Sequence, residues 1–247
     1  MKKIPLLLLV MGLAIISQAQ TMFDKGVSGF SINAGIQESY WEDGFYAGLQ
    51  YTYKGALDLS FEYGNFTYDR DKLEGHVNKY GATFPKVPKE SVLAFGAEYW
   101  VLRTDPGSDR GVNVGIWAGY EMENYTDSKL LIPGDPGTED MVEEWISGSA
   151  FAFGIDFSID FAVKDGWRLQ PYTWLGRVFA TEKDKVNGAD ETDNFQGTGA
   201  GLGVILQKML NNGSSVWLGT EWDMDNLENA NDTSFEVTLG FNLGFAK

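Results

Sequence analysis

From about residue 28 onward, apolar residues fall on every second position in run after run, with small or polar residues between them. This is the period of a strand with two unlike faces, and no helical period competes with it. The last run is the clearest. Phe235, Val237, Leu239, Phe241, Leu243 and Phe245 alternate with Glu236, Thr238, Gly240, Asn242 and Gly244. That is about twice the length of an ordinary soluble strand and long enough to cross an outer membrane at a tilt. Residues 30–36, 45–53, 57–63, 93–101, 111–122, 150–163, 200–206 and 216–222 fit the same template. Residues 167–180 form a weaker tenth strand, because Pro171 removes a ladder donor and Arg177 suits a lipid face on neither parity. The pattern predicts an all-β fold, a single transmembrane antiparallel up-and-down barrel of about ten strands, with eight as the other even count. A soluble sandwich also alternates, but with shorter strands.

The connections sort into two classes. Those at 53–56, 103–110, 164–166 and 208–215 are short, whereas 69–90, 123–144, 181–195 and 223–234 are longer and polar. Short periplasmic turns and long extracellular loops are the outer-membrane arrangement, which puts the N-terminus in the periplasm. Aromatics near the strand ends suit interfacial girdles: Tyr40, Trp41, Phe45 and Tyr46 outside, and Tyr99, Trp167 and Phe245 inside.

The N-terminus explains how such a chain reaches that membrane. Lys2 and Lys3 precede an apolar run over 4–16, then Ser17 and Ala19 stand at the positions a signal peptidase reads. Residues 1–19 are read as a signal peptide and 20–247 as one barrel domain in the outer membrane of a Gram-negative cell. The absence of cysteine excludes a lipid-modified N-terminus, disulfides and thiolate sites. A net charge of −16 argues against direct nucleic-acid binding and makes cations the natural counter-ions.

With the apolar faces toward lipid, the opposite faces line the lumen. They carry Asp58, Glu62, Glu98, Glu121, Asp156, Asp160, Glu221, Asp223 and Glu236, against Arg168 as the inward basic residue and Arg103 near a rim. Two readings follow: a cation path, or a plug of hydrogen-bonded side chains. A ten-stranded barrel is only a little wider than those that side chains fill. Trp100, Trp117, Trp174 and Trp217 also point inward, which favours the plug. The stripe Gly197, Gly199, Gly201, Gly203 lacks the strand-then-helix setting of a phosphate loop and makes room for inward aromatics such as Trp174 and Trp217. The lone histidine, His76, has Asp69 and Asp71 nearby but no serine placed to complete a triad. The acid runs Glu139, Asp140, Glu143, Glu144 and Asp190, Glu191, Asp193 lack calcium-hand spacing, so they read as a solvated face or as a divalent-ion bridge to anionic surface glycolipid. No cofactor is indicated, and no metal is assigned.

The barrel alternation resembles the porin-like outer-membrane proteins of Bacteroidetes-type bacteria. A narrower likeness runs through Val87, Pro88, Lys89 and Glu90, then Tyr99, Leu102, Arg110, Val112, Asn113 and Gly115, to Ala118, Gly119, Tyr120, Glu121 and Asn124. These positions are similar to the conjugative-transposon TraO family, although this chain adds the hairpin at 216–245 and longer acidic loops. The resemblance implies a small outer-membrane barrel encoded with a DNA-transfer apparatus. The sequence is therefore read as a non-enzymatic structural or surface-binding component. A narrow cation-preferring channel is the runner-up and an outer-membrane hydrolase comes third. The expected partners are outer-membrane lipid and surface glycolipid, the barrel-assembly machinery meeting the C-terminal strand at Val237, Leu239, Phe241, Leu243 and Phe245, and other envelope or transfer-apparatus proteins.

Overall fold

The computed structural model describes residues 23–77, 81–105, 108–134, 139–210, 214–227 and 230–245. The signal peptide predicted at 1–19 lies outside them. The strands are β1 Ser28–Ser39, β2 Glu42–Tyr53, β3 Leu57–Tyr68, β4 Lys89–Leu102, β5 Arg110–Thr126, β6 Lys129–Ile132, β7 Met141–Ala162, β8 Trp167–Val186, β9 Ala189–Met209, β10 Ser215–Leu227 and β11 Ala230–Phe245. A short helix, α1 Arg70–Val77, lies between β3 and β4. From β1 to β5 and from β6 to β11 each strand pairs antiparallel with the next, β5 pairs directly with β7, and β1 closes on β11. Ten strands thus make a closed barrel, and β6 is a short addition against the outer stretch of β7. Closure gives each of the ten barrel strands a partner on both sides, leaving the short β6 and the outer end of β9 as edges.

The period of two sorts the side chains as the sequence implies. On β11, Leu239 is 64% exposed while its inward neighbours Glu236 and Thr238 are 0% and 2% exposed. The outward rows of Phe, Ile, Leu and Val form an apolar belt around the barrel, and the inward rows form the core.

Three local features depart from the sequence reading. Residues 181–195 are no loop: β8 and β9 pair without interruption to a two-residue turn at Asn187 and Gly188, both with positive φ. Asn-Gly is the sequence that this mirror-image hairpin turn requires. Likewise 223–234 is mostly paired strand of β10 and β11. Both hairpins project past the apolar belt, so polarity there marks the end of the belt, not of the strand. Pro171 sits inside β8, paired with Val204 on β9; on the β7 side the ladder skips from Tyr172 to Leu169 without changing register.

Candidate functional site

The interior is built in three levels. At the end that carries the short turns, the chain preceding β1 folds into the barrel mouth. Phe23 is buried, and its carbonyl accepts a hydrogen bond from Arg103 Nη2. Asp24 pairs with the Arg168 guanidinium through both carboxylate oxygens. The Gly26 amide donates to Lys54 O at 2.7 Å. Residues 23–26 therefore form a strap across the mouth, held by two arginines from β8 and the β4–β5 connection. Gly55 makes room for it, since a Cβ there would meet the Asp24 carbonyl, and its φ of +57° would strain any side chain. At this mouth the Arg103 guanidinium also lies 5.1 Å from the Trp100 ring centroid. Above it, Asp58 accepts from Thr52 Oγ1 at 2.5 Å and Trp100 Nε1 at 2.8 Å. Asn113 Nδ2 donates to Ser158 Oγ at 3.1 Å and Asp160 Oδ2 at 3.0 Å.

The middle level couples carboxylates to aromatic donors across the lumen. Glu221 accepts from Tyr172 Oη and from Trp174 Nε1, the latter at 2.5 Å, and the same indole reaches Asp223 Oδ1 at 3.1 Å. Glu236 accepts from Tyr46 Oη at 3.0 Å, and Asn33 Nδ2 lies 3.4 Å from Glu62 Oε1. Trp117 meets Trp174 edge to face, with centroids 5.9 Å apart. Glycines make this crowding fit: a Cβ at Gly201 would strike the Trp174 indole, one at Gly203 the Tyr172 ring, and one at Gly240 the Trp217 indole. The glycine stripe thus serves aromatics as expected, but Tyr172 takes the second place and Trp217 lies over Gly240 instead.

At the upper level Tyr68 Oη donates to Glu90, Tyr125 Oη to Glu123 at 2.5 Å, and Trp145 Nε1 to Glu143 Oε1 at 3.1 Å. Glu182 is fully buried with no hydrogen-bond partner on either carboxylate oxygen. A roof covers this level. Leu73 of α1, Phe84, Leu130 and Ile132 are buried in one apolar cluster with Trp145, in which the Phe84 and Trp145 ring centroids lie 5.4 Å apart. A bridge between Thr83 and Leu131 joins the 69–88 connection to β6.

Every acidic residue predicted for the lumen lies on an inward face. Asp58, Glu62, Glu98, Glu121, Asp156, Glu221, Asp223 and Glu236 are buried, and Asp160 is half-buried. Arg168 also points inward, but to the strap. Val237, Leu239, Phe241, Leu243 and Phe245 face outward. Tyr46 and Trp41 do not join the outer girdle: both are buried, Tyr46 because it has the opposite parity to Phe45. Inward Glu42, Glu90, Glu123, Glu143, Glu182 and Asp184 were missed. Continuing each parity past the apolar belt would have found them. Glu143 leaves its acid run for the lumen, whereas Glu144, Asp190 and Glu191 stay exposed. Among the described residues no three of these acids converge as ligands of one metal ion. His76 lies in α1.

The solved structures that resemble this chain place the architecture. The β domain of the Bordetella autotransporter BrkA aligns with 89% of this chain and 100% of its own, at a TM-score of 0.55 and 11% identity. The translocator domain of autotransporter NalP from Neisseria meningitidis aligns with 94% of this chain and 93% of its own, at a TM-score of 0.52 and 10% identity. The fold is that of an outer-membrane β-barrel. The outer-membrane protease OmpT of Escherichia coli is a more distant match, at a TM-score of 0.47 and 9% identity over 92% of this chain. No protein-family model matches the sequence, and no curated protein matches it.

Proposed function

We propose that this chain is a filled, non-enzymatic barrel of the outer membrane, acting as a structural or surface-binding component through its exterior and its outer loops. The observation that supports this most is the middle level. There the carboxylates that would attract a permeating cation are bound by Tyr and Trp side chains that occupy the lumen. A buried donor or acceptor left without its partner costs about 1–3 kcal/mol, so such a network holds the aromatic side chains in the lumen. The strap below and the apolar roof above act in the same direction. The apolar belt supports membrane residence, and the short turns beside Phe23 support a periplasmic N-terminus.

Osmotic swelling of proteoliposomes tests the filled barrel: small sugars and salts are expected to enter no faster than into protein-free vesicles. Entry that scales with protein content would establish the runner-up, a narrow cation-preferring channel. The likeness of residues 87–124 to the TraO family supports a role in a conjugative DNA-transfer apparatus. Deletion in a donor strain is then expected to lower transfer frequency with envelope permeability unchanged; unchanged transfer would remove that part of the proposal.

A further inference from the structure

The outer wall formed by β4, β5, β7 and β8 is not smooth. Ala97 and Ala118 are register partners on the outward face, flanked by Tyr99, Ile116, Phe153 and Leu175. Two small side chains among large ones leave a hollow of about 720 Å³, lined almost wholly by apolar atoms. It is an open groove in the wall, shaped for a chain laid along it, with Tyr99, Ile116 and Leu175 standing about half exposed around it. Directly above it on the same strands runs an aromatic row, Tyr120 paired with Phe151 and Phe151 with Phe179. Above that lies a second hollow of about 250 Å³ with mostly polar walls, including Asn124, Ser147, Ser149, Thr181 and Lys183. Apolar hollow, aromatic row and polar hollow follow one another along the strands as acyl chain, interface and head group do across an outer leaflet.

Arg177 joins the two parts. Its backbone lies at the level of the apolar hollow, paired with Phe153 and Thr198. Its guanidinium is turned up over the Phe179 ring, 5.8 Å from the centroid, and Nη2 donates to Gln196 Oε1 at 2.9 Å. An arginine bent this way covers apolar surface with its stem and holds a planar, permanently charged fork at the head-group level. Lys183 adds a second outward cation, on a chain whose net charge is −16.

We propose that this face binds a phosphorylated glycolipid of the outer leaflet. Its acyl chain fills the hollow over Ala97 and Ala118, its phosphate meets Arg177, and its sugar hydroxyls meet Lys183 and the Ser147, Ser149 and Thr181 hydroxyls. This rests on the reading that the apolar belt faces lipid. Insertion and retention are therefore scored separately.

The mature chain is refolded into phosphatidylcholine vesicles containing rough lipopolysaccharide, or the same material dephosphorylated. Folding and insertion are read from the gel shift of the unheated barrel. Glycolipid carried through detergent extraction and purification is measured per folded chain. The wild type is expected to retain phosphorylated material at least tenfold above the dephosphorylated form. Arg177→Gln is expected to remove most of that preference, and Ala118→Phe and Ala97→Leu to lower retention of both forms severalfold while folding normally. Equal retention of the two forms by folded wild type, or full retention by both hollow-filling variants, would overturn the site. Failure of the wild type to insert would overturn the membrane reading beneath it.

Discussion

Trp217 and Gly240 are cross-strand partners on β10 and β11, and the indole lies flat over the glycine so that all three atoms nearest a Cβ at 240 belong to Trp217. Trp217 is only 4% exposed, and its Nε1 donates to Asn242 Oδ1 at 3.2 Å. Gly240→Ala should therefore force the indole aside, and overpacking of this kind costs about 1–3 kcal/mol. Trp217→Ala removes a large buried side chain and should cost about 3–5 kcal/mol. In the double variant the methyl group meets no indole, so its cost should largely vanish. The two changes should then be less destructive together than their sum by about 1–3 kcal/mol. The assay is urea unfolding of the barrel refolded into vesicles, scored by the folded-barrel gel shift so that loss of an indole does not disturb the readout. Strictly additive effects would refute the packing of Trp217 over Gly240, and with it the claim that glycines were placed to accommodate inward aromatics.

Three further expectations follow from the ends of the barrel. Asp184 lies on β8 beyond Phe179, past the apolar belt, where burial and then the Glu143, Asp193 and Glu191 carboxylates push it up to about 7. The folded state thus holds this proton more tightly than the unfolded chain, so wild-type stability should fall as pH rises from about 4 to about 7. Asp184→Asn should flatten that slope in unfolding titrations; an unaltered slope would contradict the clustering. Arg103→Ala with Arg168→Ala should free the 23–26 strap, seen as fast motion of a spin label at residue 23 where the wild type is immobilised, with the belt and gel shift unchanged. At the roof, Asp69 Oδ1 accepts from the Asp71 and Lys72 amides at 3.1 and 3.2 Å, and the Lys72 amide is the main cause holding this carboxyl below its usual range. That support exists above the ordinary carboxylate range and is lost as pH falls through the lowered value. Asp69→Ala should accordingly speed proteolysis within 70–88 without altering barrel unfolding.

The barrel itself was legible because the period of two is enforced by two incompatible solvents. A residue on the wrong face of β11 or β7 would put a carboxylate in the apolar belt, so the parity of Phe235 to Phe245 and of Phe151 to Phe157 had one solution. Lumen residues came with it, since whatever is not outward is inward. What stayed hidden depends on contacts between residues distant in sequence. Phe23 and Asp24 carry no local pattern, and only the fold brings them to Arg103 and Arg168. Leu73, Phe84, Leu130 and Ile132 lie in polar connections, and they count as a roof only once the 69–88 segment bridges to β6. The upper acids were lost for a different reason: where both faces turn polar, as in β8 from Thr181 to Val186, hydrophobic alternation fades although the strand continues. The Asn187–Gly188 turn was the available signal there.

Single-channel recording tests the filled lumen most directly. The mature chain, shown by gel shift to be folded and inserted in a planar bilayer, is expected to give no steady current in potassium chloride at any voltage. A steady potassium-selective current that weakens when Glu62, Glu121 and Glu221 are all changed to Gln would show an open acidic path and contradict the account.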